Sequence, residues 1–425
     1  MANAKLRDGQ EIGGLRRVVV TGIGAVTSIG CGVEGLWEGV CRARSAVGPI
    51  THFDASPFAS RIAAEVRDFD PSAYLEGKAR KRLDRCAQFA VVASKQAVED
   101  ARLDLSREMP DRAGVCIGSA LGGAAFAERQ HAAYLEGGPR VVSPMLALQM
   151  FVGAGSCNAA IELGLTGYST SNADSCASGP IAIGNAWHAI RRGDVDVMLA
   201  GGAEAPLAPL CFGAFSLIRA MSTRNDDPAR ACRPFDRDRD GFVMAEGAAV
   251  LALEERDHAL RRGARIYAEL IGYACTNDGF HMTAPRPDAS SAANAITKAL
   301  QVASILPEQI DYVNAHGSST PLNDATETRA LKMALGEEVA RRVPISATKA
   351  MHAHALGATG AIEAAICCLA LQRSWIPPTV NYETPDPECD LDYVPNTGRA
   401  AALKVVLSNS FGFGGINAAL AFRCA

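Results

Sequence analysis

Short runs of β-branched and apolar residues alternate with longer, helix-compatible stretches along most of the chain. The run "RRVVVTGIGAVTSIG" (16–30) opens the pattern and reads as a strand followed by a tight glycine turn. Further strands are predicted at 114–118, 196–202, 247–255, 265–273, 310–316 and 401–409, with helices at 84–103, 177–192, 291–304 and 360–373. Such alternation predicts a layered α/β protein. The charged stretch "RDHALRRGA" (256–264) precedes a fresh strand, so two halves are expected, 1–260 and 261–425. Prolines in "IPPTVNYETPDPECDLDYVPN" (376–396) break both helix and sheet, which predicts an ordered surface loop.

Composition narrows the function. With 425 residues, 48% of them hydrophobic, the chain can bury a large core. A net charge of −4 with both signs dispersed points away from nucleic acid or a membrane surface as the main partner. The first 17 residues, "MANAKLRDGQEIGGLRR", hold no apolar leader core, and a cytoplasmic protein is expected. The 13 cysteines form no C-x-x-C pairs, which fits small hydrophobes in a reducing compartment, the adjacent Cys367 and Cys368 included. Gly22 and Gly24 begin a G-x-G, but the spacing of a dinucleotide fingerprint fails at Thr27.

Four segments carry candidate chemistry. "SNADSCASGPIAIG" (171–184) sets Cys176 among small residues where a helix begins, and a helix N-terminus favours a thiolate. "VNAHGSSTPLND" (313–324) puts His316 on a loop after a strand; "ISATKAMHAHALGATGAIEAA" (345–365) carries Lys349, His352 and His354 ahead of a helix. "VVLSNSFGFGGINAAL" (405–420) is a strand and then a glycine loop around Phe413, able to aim a backbone N–H at a developing oxyanion.

Together "SCASG", "NAHGSSTPLND", "TKAMHAHALGATGAIEA" and "NSFGFGGIN" resemble the four signatures of the β-ketoacyl-acyl-carrier-protein synthases. The similarity runs from Arg17 to the C-terminus, includes "CRPFDRDRDGFVMAEGA" (232–248) and "NDGFHMTAP" (277–285), and lies nearest the elongating synthase II branch. The resemblance implies the thiolase fold, a five-layer αβαβα sandwich of two similar halves, working as a homodimer. It implies a decarboxylative condensation of an acyl group held on Cys176 with malonyl-acyl-carrier protein, in fatty acid or related polyketide or secondary lipid synthesis, without metal or redox cofactor. Cys176, His316, His354 and Lys349 would be catalytic, with the N–H groups of Cys176 and Phe413 as oxyanion hole and Phe413 as gate. Leu121, Thr283, Ser318, Thr320 and Phe413 would bind substrate, and Lys78, Lys81 and Arg82 would dock the acidic carrier protein. Asn314, Glu363, Ser408 and Asn409 match a structural cation site of some relatives.

The chain departs from the family at several points. Aligning "LGATGAIEA" selects His354 and leaves His352, where threonine is usual, without a catalytic role. Asp174 and Ser175 replace the usual Thr-Ala, and an ionised Asp174 near the sulfur would disfavour the thiolate. Pro180 and Ile416 stand where threonine is common, which opens the choice of acyl substrate. The competing readings are a non-catalytic, chain-length-setting subunit of a ketosynthase heterodimer and a Cys–His thioester hydrolase.

Overall fold

The computed structural model describes residues 15–425; residues 1–14, which hold most of the stretch read as lacking a leader, lie outside the described residues. The first half runs β1 (Val18–Thr27), α1 (Arg85–Asp100), β2 (Ala113–Gly118), α2 (Ala154–Leu163), β3 (Ser169–Thr170), α3 (Ser178–Arg192), β4 (Val197–Glu204) and β5 (Gly247–Glu255). The second runs β6 (Ala268–Asn277), α4 (Ser290–Ala303), β7 (Tyr312–Asn314), α5 (Pro321–Leu335), β8 (Ile345–Ser346), α6 (Thr359–Arg373), β9 (Val405–Gly412) and β10 (Ile416–Arg423).

These strands form one hydrogen-bonded sheet in the order β8-β7-β9-β10-β6-β1-β5-β4-β2-β3. Read outward from the centre, β1-β5-β4-β2-β3 and β6-β10-β9-β7-β8 are the same path taken twice. Directions repeat as well. The outer ladders of each half are parallel, and the inner ones antiparallel. Within the sheet the halves join through three antiparallel pairs, Val18–Val20 against Ala268–Leu270.

Helices α3 and α6 touch strands of both halves and form the middle layer, while α1 with α2 and α4 with α5 cover the two outer faces. This is the five-layer arrangement the resemblance implied. The middle helices are apolar nearly all round, as a helix between two sheets must be: every residue of α6 from Thr359 to Leu371 is buried. Cys367 and Cys368 are among them, packed as core. All 13 cysteines are free. Among the described residues no helix is long and apolar enough to cross a membrane.

Three expectations need correction. Gly22 and Gly24 lie inside β1 rather than in a turn; a Cβ on Gly24 would stand 1.9 Å from the Ala93 carbonyl, so they are glycines because α1 packs directly on the strand. The "GINAAL" segment continues as β10, because the glycine loop at 413–415 is a hairpin connection returning the chain antiparallel to β9. The Pro-rich segment is irregular but only partly superficial: Tyr393 is buried and stacks on Phe235 at 4.0 Å between centroids.

Candidate active site

Cys176 stands in a short 3₁₀ turn, Ser175–Ala177, immediately before α3. The turn can exist because Ser175 takes the left-handed region at φ 53°. A matching turn, Leu356–Ala358, precedes α6 and begins with Leu356 at φ 40°. The two helices meet where side chains are smallest: a Cβ on Gly179 would come 2.9 Å from that of Ala361, and one on Gly360 2.3 Å from the Pro180 ring.

Around this seam lies a cavity of about 340 Å³. Cys176, His316 and His354 line it, together with Phe413, Thr283, Ser318 and Thr320. His354 Nε2 is 3.2 Å from Cys176 Sγ, and its Nδ1 is 2.9 Å from Thr359 Oγ1. The His316 and His354 rings are 5.4 Å apart between centroids. Burial, followed by the charge of Lys349, holds both imidazoles well below their ordinary pKa, so both are neutral at physiological pH. His352 is turned away. Its Nδ1 is 2.8 Å from the Ala353 carbonyl and its Nε2 3.1 Å from Thr348 Oγ1, and burial pushes it down to about 3.

The electrostatics of the sulfur differ from the expectation. Burial raises the Cys176 thiol above its ordinary value, more than the Ser175 hydroxyl, the Phe413 N–H and Lys349 lower it. The carboxylate that adds to this rise is Glu204; Asp174 acts instead on Tyr273 and Cys275. Cys176 therefore rests as a thiol, and its nucleophile forms in contact with His354. The Ser175 hydroxyl donates to the sulfur at 3.8 Å.

Lys349 is 0% exposed and does not line the cavity. Its Nζ donates to the His316 carbonyl at 2.5 Å and to Glu363 Oε1 at 2.6 Å, so it acts on the site through His316. Burial lifts Glu363 to about 7 against the pull of Lys349. Glu327, absent from the sequence reading, accepts the His316 N–H at 2.8 Å and the Gly317 N–H at 2.7 Å. Glu204 is the other residue missed. Its signal was a single charge closing the apolar run "DVMLAGGAE", whereas Glu327 sits among other polar residues in α5 and gave none. Leu121 is likewise not in the cavity wall; it packs behind it, in one apolar cluster with Leu356 and Phe413. Lys78, Lys81 and Arg82 are exposed on the short helix Gly77–Arg82.

Asn314 Oδ1, Glu363 Oε2, Ser408 Oγ and Asn409 Oδ1 are buried without a hydrogen-bond partner, and Asn314 faces Ser408 across the β7–β9 ladder. Orphaned acceptors of this kind, all oxygen, fit a hard cation.

Two family models match the chain, the N-terminal domain of β-ketoacyl synthase over residues 15–259 and its C-terminal domain over 267–383. A 3-oxoacyl-[acyl-carrier-protein] synthase 2 from Synechocystis sp. is 48% identical over 408 residues, spanning 96% of this chain and 98% of that protein. Its counterpart from Coxiella burnetii is 45% identical over 405 residues, 95% and 98% of the respective chains. Among solved structures, a β-ketoacyl synthase from Burkholderia phymatum superposes with a TM-score of 0.89 at 39% identity, covering 96% of this chain and all of that one (100%). The ketosynthase complex AntDE:AntF, a type II polyketide synthase acyl-carrier protein with its ketosynthase, gives 0.90 at 38% identity over 96% and 100%. A doubled α/β half, one cysteine and two neutral histidines at its seam, and sequence identity along nearly the whole length agree on one conclusion: the chain belongs to the β-ketoacyl synthase family.

Proposed function

We propose that this protein condenses an acyl group with malonyl-acyl-carrier protein, releasing CO₂ and giving 3-oxoacyl-acyl-carrier protein. Cys176 Sγ attacks the thioester carbonyl of an acyl-carrier protein, the carrier thiol departs with the proton the sulfur loses, and the acyl group stays on Cys176. Malonyl-carrier protein then loses CO₂; its electron pair becomes an enolate whose oxygen accepts hydrogen bonds from His316 and His354. The enolate carbon attacks the acyl carbonyl, the oxyanion is held by the N–H groups of Cys176 and Phe413, and the sulfur leaves. Each such donor is worth about 2.7–4 kcal/mol. Neutral imidazoles suit this role, since each still has an N–H to give.

Thr359 gives its hydroxyl hydrogen to His354 Nδ1 and leaves Nε2–H toward the sulfur. Thr283, Ser318 and Thr320 hydrogen-bond the phosphopantetheine arm, Phe413 gates the acyl arm, and Lys78, Lys81 and Arg82 meet the acidic carrier. Asn314, Glu363, Ser408 and Asn409 would hold a structural cation, which would supply fixed positive charge to that buried cluster. The enzyme works as a homodimer in the cytoplasm, its two halves dividing at residues 260 and 261.

The observation that carries this reading is Cys176 Sγ 3.2 Å from His354 Nε2 with His316 beside it in one cavity. The test is the purified protein given acyl- and malonyl-carrier proteins. Formation of the 3-oxoacyl product supports it; free acid without carbon–carbon bond formation indicates a hydrolase, and inactivity until a second subunit is added indicates a scaffold.

A further inference from the structure

Strand β4 ends on Glu204, whose side chain is buried at 0% exposure. An ionised carboxylate is costly to bury without compensation. Here the compensation comes from neutral donors. Oε1 accepts the Ser119 hydroxyl at 3.0 Å and the Leu121 N–H at 3.1 Å; Oε2 accepts the Ala120 N–H at 2.7 Å and the Gly357 N–H at 3.1 Å. Three donors belong to the loop after β2 in the first half, and the fourth to the turn before α6 in the second. Both segments reach the cavity, through Ala120 and through Leu356. One side chain therefore ties two walls of the cavity together from opposite halves.

The repeated topology gives this position its meaning. Ser175–Ala177 and Leu356–Ala358 are equivalent turns, so Gly357 stands where the first half has Cys176. Equivalent strands β4 and β9 end at Glu204 and Gly412. In the second half that strand end is bare beside the sulfur: a Cβ on Gly412 would lie 3.2 Å from the Cys176 nitrogen. In the first half, Glu204 extends a carboxylate onto the nitrogen of Gly357 instead. Gly357 has no room for anything larger, because a Cβ there would be 2.5 Å from the Ala120 nitrogen and 2.8 Å from Glu204 Oε2. The protein thus has two anion-accepting turns, one left for the substrate oxygen and one filled by its own side chain.

We propose that Glu204 is a positioning residue for the condensation: by filling the turn at Gly357 it fastens the Leu356 and Ala120 walls of the cavity to the half that carries Cys176. This rests on the condensing function given above. Removing the carboxylate has two effects of different kind. The walls loosen, which slows condensation. The sulfur meanwhile loses the neighbouring negative charge that raises it. Burial lifts Glu204 itself to about 7, its four donors pulling it down. The other titratable groups that feel this carboxylate are the thiols of Cys86 and Cys211; those lining the cavity with Cys176 are His316, His354, Arg219, Asp240 and Asp278, and Lys349 acts on the sulfur by its charge from outside that wall.

The experiment compares wild type, Glu204→Gln and Ser119→Ala for condensation and for the pH dependence of Cys176 alkylation by iodoacetamide, with folding checked by circular dichroism. Glu204→Gln is expected to lose about 100-fold in condensation, as for a small displacement of a reacting geometry. Its alkylation midpoint should move to lower pH. Ser119→Ala keeps the carboxylate but removes one of its donors, so a smaller loss of about tenfold is expected with the midpoint in place, because Glu204, lifted only to about 7, is already ionised where the raised thiol titrates. This variant decides the matter if Glu204→Gln does not fold. Folded variants with wild-type condensation and wild-type alkylation overturn the proposal, as does a loss that only tracks the folded fraction while the midpoint stays put. Absence of condensation in the wild type would instead refute the function itself.

Discussion

The turns at Ser175–Ala177 and Leu356–Ala358 are one backbone device built twice and put to different use. Each starts with a non-glycine residue in the left-handed region, at φ 53° and φ 40°, and each feeds a buried helix of 15 residues. Left-handed backbone at residues with a Cβ costs of order 1–3 kcal/mol and persists only where the surroundings impose it. Both turns sit where the two helices pack closely, Gly179 against Ala361 and Gly360 against Pro180. The first turn presents a sulfur and an N–H to an open cavity; the second presents a glycine whose N–H is already bonded to Glu204. A helix N-terminus that accepts an anion is thus a property of the backbone, and reactivity depends on what stands at its second residue and what fills the space in front.

The comparison can be broken most decisively at the sulfur. Cys176→Ala should form no acyl-enzyme, followed by mass spectrometry, and no condensation product; an acylated variant would mean the first turn is not the reactive one. Next are the histidines. His316→Ala or His354→Ala should each cost about 100- to 1,000-fold in condensation, the scale for removing one donor to a developing oxyanion. His352→Ala should change the rate by no more than about tenfold, because both its ring nitrogens are engaged away from the cavity. Equal losses from all three would mean that the segment before the second turn is wrongly read.

A smaller effect concerns stability. Unfolded His352 takes up a proton near its ordinary 6.5, while the folded residue resists until about 3. The folded state therefore binds fewer protons in that window, and its advantage is present above pH 6.5 and lost as pH falls. In His352→Gln this contribution is gone, so urea denaturation should show the stability difference between wild type and variant shifting against the wild type by about 1.4 kcal/mol per pH unit below 6.5. A constant difference across that range would contradict a buried neutral ring. Smallest is Ser175→Ala. Loss of the hydroxyl that lowers the thiol should move the alkylation midpoint of Cys176 to higher pH and slow acylation by about tenfold or less. An unmoved midpoint would show that the first turn owes nothing to its departure from the family pattern.

Most of the fold was legible in the sequence. The predicted helices 84–103, 177–192, 291–304 and 360–373 correspond to α1, α3, α4 and α6 within a few residues, and β5 falls on the predicted 247–255. Their apolar faces declare themselves locally. Gly22 and Gly24 misled because glycine marks a turn as readily as a strand pressed by a helix, and only the neighbour, α1, distinguishes them. At the site, Cys176, His316 and His354 could be found because the signatures around them are long and ordered. Leu121 could not be resolved, since whether an apolar side chain faces a cavity or packs behind it depends on a backbone turn rather than on its type. Lys349 was read as catalytic, and its indirect route, through the His316 carbonyl and Glu363, needed coordinates.

By itself, the sequence determined the alternation of strand and helix, the small residues at 179 and 360 that let two helices touch, and the identity of the groups able to do chemistry. These are local properties, settled by side-chain type and spacing within one segment. Tertiary structure decided which groups meet, that Glu204 rather than Asp174 bears on the sulfur, and that burial keeps the thiol protonated and the imidazoles neutral. Such outcomes follow from distances and desolvation among groups brought together from separate segments, Cys176 and His354 being 178 positions apart, and no pattern along the chain encodes them directly.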